Sequence, residues 1–277
     1  MFKSAKPSTI EIERLILSYL YMAYSRFSDI FRIGFEVAKT NFRLRVEGSY
    51  LGILWYLLNP LILFAIFMLI KRAAFSEVDI PYYPLYLLIG IAGFNFFKII
   101  ISEAINSIAN NPDYIKSINR AAPESLVLAV VIQAIFSHIF EFILIIALAL
   151  YLNVSLIGLL LYPFVLILFA ILSLGLAFIA ATVGVYVGDL DNVWIILSQL
   201  LLLGTPIFYI INPGSLIYTL NLFNPLFYFL EVVRSLIIEG RILDIKLFLI
   251  FIAISIISIF LGLIIFRSYK NKFAELL

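Results

Sequence analysis

The 277-residue chain has no cysteine and a single histidine. The missing thiols exclude disulfides and thiolate metal sites, and one histidine argues against a His-based metal centre. Charge is also scarce. Only 13% of residues are charged and the formal net charge is +2, which gives nucleic acid no footing. None of the 13 glycines precedes a lysine, so the Gly-x-x-x-x-Gly-Lys-Ser/Thr phosphate loop is absent and the chain cannot hydrolyse ATP by that route. Asp189-x-Asp191 is the only close aspartate pair and has no basic residue within ten positions, so the clustered charges of metal-assisted phosphate chemistry are missing. Inverted repeats of the kind found in many ion-coupled carriers are not evident, and no signal peptide is visible.

What remains is apolar. Hydrophobic residues make up 64% of the chain, far above a soluble domain. Seven apolar stretches stand out: 51–70, 82–101, 125–152, 156–187, 190–211, 216–238 and 247–266. Their length suits membrane helices, and the alternation of barrel strands is absent. Residues 1–50 carry eight Lys/Arg, and the tail carries Arg267, Lys270 and Lys272. Both termini are therefore expected in the cytoplasm, with an even number of crossings. Stretch 216–238 contains Asn221, Asn224, Pro225, Glu231 and Arg234, and reads as a re-entrant element. The expected fold is all-α and integral to the membrane, with six transmembrane helices and a re-entrant helical hairpin between spans five and six. Residues 1–49 form a cytoplasmic extension with an amphipathic interface helix, and 50–268 one transmembrane domain. Within that domain 105–122 is an inner loop and 213–240 the hairpin, and 269–277 is a cytoplasmic tail.

The segment SDIFRIGFEVAKTNFRLRV (28–46) places Asp29, Arg32, Glu36, Lys39, Thr40 and Arg43 on one helical arc, with apolar residues around the rest. Such a helix lies in the interface, its Lys/Arg near anionic lipid heads. Gly48 and Gly52 then let the chain turn into the bilayer. About midway along the first stretch Asn59-Pro60 interrupts the helix, either as a packing kink or as a bend with a role in transport. Four of the ten prolines follow Asn: Pro60, Pro112, Pro213 and Pro225. Those after Pro60 read as turn starts and helix breaks.

An amphipathic helix followed by EGSYLGILWYLLNPL resembles the membrane subunit of type-2 ATP-binding-cassette exporters, in the branch that exports polysaccharides such as O-antigen, teichoic acid or capsule. The late segment resembles the same family's closing signature, with Pro206-Ile207-Phe208-Tyr209, then Asn224-Pro225, then Arg234. Where the family often has Arg-Asp after the fourth span, this chain has Gly188-Asp189. The resemblance implies an inner-membrane homodimer above two copies of a cytoplasmic ATPase, which binds ATP and Mg. This chain would hold no cofactor and no metal, and would not itself be an enzyme. The implied cargo is a glycan linked to undecaprenyl pyrophosphate. A drug or small-lipid exporter, or a self-sufficient membrane enzyme, is the competing reading.

The candidate site residues follow. Trp55, Tyr56, Asn59, Pro60, Phe208, Tyr209, Phe223, Phe227 and Tyr228 are candidates for an aromatic conduit and gate, since ring faces stack on sugars. Trp55, Tyr56, Tyr82, Tyr83 and Tyr86 also fit an interfacial belt. Lys98 and Arg234 are candidates for the charge of the substrate. Arg32, Lys39, Arg43, Asp113, Tyr114, Lys116, Arg120, Asp189 and Asp191 are candidates for contact with the ATPase. Glu231 and Arg234 are spaced to pair along one helix face, as are His138 and Glu141. An isolated pair of that kind lacks the further partners a proton relay needs.

Overall fold

A computed structural model describes residues 9–47, 50, 52, 54–74, 80–116, 122–154, 156–240 and 245–277, except the side chains of 9–26, Val46, Tyr56 and Ala74. The described residues are helical, with short connections. The lead-in is one 39-residue helix, α1 (Thr9–Glu47), which begins well before the amphipathic stretch. No proline lies between Pro7 and Pro60 to stop it. Gly52, at φ 46°, takes the turn into α2 (Leu54–Ala74). Because α2 starts this late, Asn59 is its sixth residue rather than its midpoint, and the helix runs on through Pro60.

The bundle continues with α3 (Tyr83–Ser107), the single turn α4 (Pro112–Lys116), α5 (Glu124–Tyr151) and α6 (Ile157–Tyr186). Then come α7 (Leu190–Gly204), α8 (Leu216–Asn221), α9 (Pro225–Ile237) and α10 (Ile245–Tyr269), and the chain closes on a 3-10 turn and α11 (Phe273–Leu276). Among the described residues four helices are long and apolar enough to cross a membrane: α3, α5, α6, and α10 with its extension. The 21-residue α2 is apolar but interrupted by Pro60. Stretch 190–211 is helical only to Gly204, where Thr205 turns extended before Pro206. A residue before proline is driven out of the helical region, which explains the early stop.

Stretch 216–238 divides as its Asn-Pro suggests. The Asn224 side chain accepts the Leu226 N–H at 3.1 Å, and Pro225 fills the first helical position of α9. A capping Asn with Pro behind it starts a helix and cannot continue the previous one. From there α9 is buried between α3, α6 and α10. Phe169 of α6 stacks on Phe229 of α9 at 4.0 Å, at the centre of the core.

The first helix does not lie free. It packs along α5, where Phe35 and Phe42 meet Phe136 edge-on at 5.9 and 5.8 Å and Ala38 is fully buried. Phe27, Phe31 and Leu44 stay exposed. Phe27 and Phe31 leave apolar surface beside the charged strip.

Candidate functional site

A cavity of about 680 Å³ opens between α2, α3 and α5. Trp55, Asn59, Pro60 and Leu63 line it from α2, Asn95, Phe96 and Lys98 from α3, and Ser137, His138 and Glu141 from α5. Arg45, near the end of α1, stands at its margin and is bonded to Glu103 of α3 at 2.6 Å. Four of the sequence candidates therefore meet here: Trp55, Asn59, Pro60 and Lys98. Trp55, Asn59 and Lys98 are exposed, whereas Pro60 is buried. The Lys98 carbonyl accepts the Trp194 indole N–H at 3.4 Å, which sets α7 against the opposite side of α3. The Tyr56 side chain lies outside the described residues.

One wall carries a connected polar chain. Tyr162 Oη lies 2.5 Å from His138 Nε2, His138 Nδ1 lies 2.8 Å from Glu141 Oε2, and Asn95 donates to Glu141 Oε1 at 3.2 Å. Buried ionisable groups persist only when such partners satisfy them. The expectation of an isolated His138–Glu141 pair is overturned, because Tyr162 and Asn95 extend it at both ends. Asn95 carried a signal in sequence, as an amide inside the apolar run GFNFFK. Tyr162 lay in another stretch and carried none.

The late aromatic residues gather elsewhere. Phe208 stacks on Phe67 of α2 at 4.6 Å and meets Tyr209 edge-on at 5.0 Å. Tyr209 donates to the carbonyls of Leu203 and Gly204, and Tyr228 to that of Leu222 at 2.8 Å. Phe227 and Tyr228 are buried against each other, while Phe223 is 84% exposed. The candidates thus do not form one site: Trp55, Asn59 and Pro60 line the cavity, Phe208 and Tyr209 pack at Phe67 of α2, and Phe227 and Tyr228 pack on each other. Among Tyr82, Tyr83 and Tyr86 of the expected belt, only Tyr82 is exposed. Tyr83 donates to the Phe208 carbonyl at 3.2 Å and Tyr86 to that of Tyr209 at 2.8 Å, so both hold the 206–209 segment.

Arg234 is enclosed by backbone. It donates to the carbonyls of Pro206 at 2.6 Å, Ile207 at 3.0 Å and Tyr86 at 3.2 Å, and its guanidinium lies 3.4 Å from the Tyr86 ring centre. These donors go to carbonyls rather than to Glu231. The two residues share a cavity of about 220 Å³ with Ile80, Pro206 and Ser235.

The candidates for ATPase contact are spread along α1, α4 and the α6–α7 turn. Lys39 is exposed, Arg32 pairs with Asp29 at 3.1 Å, and Arg43 pairs with Glu47 at 2.5 Å. The hydrogen bond to Glu47, reinforced by its charge, raises the Arg43 pKa further above its ordinary value. Asp113 and Lys116 are exposed on α4, whereas Tyr114 bonds to Ser125 Oγ at 3.1 Å. Asp189 is exposed, and Asp191 accepts from Asn106 at 2.5 Å. Arg120 lies outside the described residues.

The ABC-2 type transporter family matches residues 35–238, a span from the middle of α1 to the end of α9. The O-antigen export system permease protein RfbA of Myxococcus xanthus is 23% identical over 244 residues, covering 87% of this chain and 93% of its own. The protein of the same name from Klebsiella pneumoniae is 25% identical over 252 residues, with the same coverage of both chains. The family span contains the cavity, the Asn-Pro cap of α9 and the Arg234 brace, and on that match the chain belongs to the ABC-2 type transporter membrane family.

Proposed function

We propose that the chain is the channel-forming subunit of an ATP-driven exporter, moving a polysaccharide linked to undecaprenyl pyrophosphate from the cytoplasmic side of the inner membrane. Its nearest class of cargo is O-antigen, with teichoic acid and capsule as sister possibilities. The observation that carries the reading is the alignment of two O-antigen export permeases along 93% of their own length. Two copies of the chain pair above two ATPase subunits, which bind ATP and Mg, and both termini lie in the cytoplasm. Six spans include α2 and α7, and 213–240 is a re-entrant hairpin that shapes the outer exit.

The mechanism follows from this arrangement. ATP binding closes the partner dimer. The interface helix and the 105–122 loop pass the motion to α2 and α7 at the dimer axis. The exposed Lys98 ammonium meets the pyrophosphate of the carrier lipid. Trp55 offers a ring face and Asn59 an amide to the first sugars. Phe208, Tyr209 and Phe223 line the path out, and Arg234 holds the wall of that exit.

The test is reconstitution in proteoliposomes. The chain is co-purified with its ATPase and titrated with undecaprenyl-linked glycans of different composition. Glycan-selective stimulation of ATP hydrolysis is expected, and it names the cargo class. Lys98→Ala should weaken export and leave the complex assembled. If no ATPase co-purifies and the chain alone turns over a substrate, the self-sufficient enzyme replaces this reading.

A further inference from the structure

The last residues of the chain are built into the bundle. After α10, Lys270–Lys272 form a 3-10 turn and α11 follows. Phe273 is fully buried, its ring edge-on to Phe266 at 5.4 Å. Lys270 Nζ lies 2.7 Å from Glu124 Oε1, with the two side chains only 18% and 4% exposed. Arg267 Nε lies 4.0 Å from the same oxygen. Tyr269 meets Tyr186, at the end of α6, edge-on at 5.7 Å.

The other side of this cluster is the short helix α4. Glu124 opens α5, and the next residue, Ser125, faces the Tyr114 hydroxyl of α4 at 3.1 Å. The same hydroxyl accepts the Ala122 N–H at 3.4 Å. Helix α11 also touches α4 directly. A five-residue helix cannot hold its own shape in water, since nucleation costs more than one turn returns. Its conformation must come from these neighbours.

We propose that the C-terminal turn braces the coupling segment, with Lys270 and Phe273 locking α4, the start of α5 and the end of α10 into one block. The block carries force between the ATPase partner and the membrane helices. The proposal rests on the reading of 105–122 as the ATPase-coupling segment. A solvated tail would leave Phe273 in water and Glu124 without Lys270. Both are instead withdrawn from solvent, where a lost partner leaves a buried charge and the contact is hard to break. Lys270 and Phe273 are positioning residues. The block's exposed charges, Asp113, Lys116, Lys272 and Glu275, are what a partner would meet.

The chain has no cysteine of its own, so spin labels attach uniquely at Lys116→Cys and Glu275→Cys. The distance between the two labels of one chain is measured in the assembled complex, with labelled chain diluted by unlabelled chain so that distances between the two copies do not contribute, without nucleotide and with ATP trapped. One narrow distance, the same in both states, is expected. Lys270→Met combined with Phe273→Ala should broaden it. The same variant should lose the stimulation that the membrane subunit gives the ATPase, with the KM for ATP and subunit stoichiometry unchanged. Lys270→Arg should retain both properties. A distance that shifts between nucleotide states in the otherwise unaltered chain overturns the proposal, as does a double variant that couples normally. If no ATPase co-purifies, the coupling reading fails separately, and the distance in the chain alone, narrow or broad, still decides the brace.

Discussion

At Arg234 three backbone carbonyls stand where a carboxylate would complete an ordinary buried ion pair. Hydrogen bonds to a charged group contribute more than neutral ones, and the loss of that group would strand the carbonyls it served. Arg234→Met should therefore lower stability by roughly 3 kcal/mol or more. Arg234→Lys should recover only part, because one ammonium cannot reproduce the fork that reaches both Pro206 and Tyr86. Thermal unfolding of the detergent-purified complex checks both, and a Met variant as stable as the parent would remove the brace from this account. The polar chain beside the cavity has a graded expectation. Tyr162→Phe takes one partner from His138 and should cost about 1 kcal/mol. Glu141→Leu strips both His138 and Asn95 and should cost more than Tyr162→Phe in the same unfolding measurement. Equal losses would mean that the chain is not connected through Glu141.

Among the elements, α6 and α10 cross at close range. A Cβ placed on Gly262 would come within 2.1 Å of the Gly175 carbonyl oxygen, and one on Gly175 within 2.3 Å of the Ser258 backbone. Ser258 and Gly262 are four apart on α10, the spacing at which small residues let membrane helices touch, and Ser258 Oγ donates to the Leu172 carbonyl at 2.8 Å. Gly262→Leu should push the helices apart and abolish folded protein in the membrane fraction. Ser258→Ala removes one interhelical hydrogen bond and should cost only about 1 kcal/mol. Size-exclusion profiles of the two variants separate these outcomes, and a monodisperse Gly262→Leu protein would count against the crossing.

The elements also mark the limit of what the sequence made legible. Five of the seven apolar stretches became one helix each, because length and hydrophobicity dictate that in a bilayer. The Asn224-Pro225 break was legible because its chemistry is local. The stop at Gly204 depended on Thr205 preceding Pro206, a local signal that the apolar run masked. The partners of His138, Tyr83, Tyr86 and Lys270 come from segments 24 to 146 positions away. Periodicity carries no record of such pairings, so the cavity wall and the C-terminal brace emerged only from the packing.

For the whole molecule the decisive feature is α7. It has 15 residues, about 22 Å of helix, and so is shorter than the hydrocarbon core. Only Ser198 is buried on it, while Ile195, Ile196, Leu200 and Leu203 are each more than half exposed. Lipid can cover an apolar face, but a helix this short cannot carry that face across the whole hydrocarbon core. In the proposed homodimer a second copy of the chain would cover this face, with α7 and the likewise exposed α2 near the shared axis. Helix α10 is exposed too, at Phe260 and Ile264, yet it is long enough to face lipid alone. The two faces should therefore behave differently in native membranes. Single cysteines at Ile195 or Leu200 should form disulfide-linked dimers under mild oxidation, and one at Phe260 should not. Equal yields at all three positions would reflect collisions in the membrane. Dimers through Phe260 alone would move the symmetry axis to α10 and take the conduit with it.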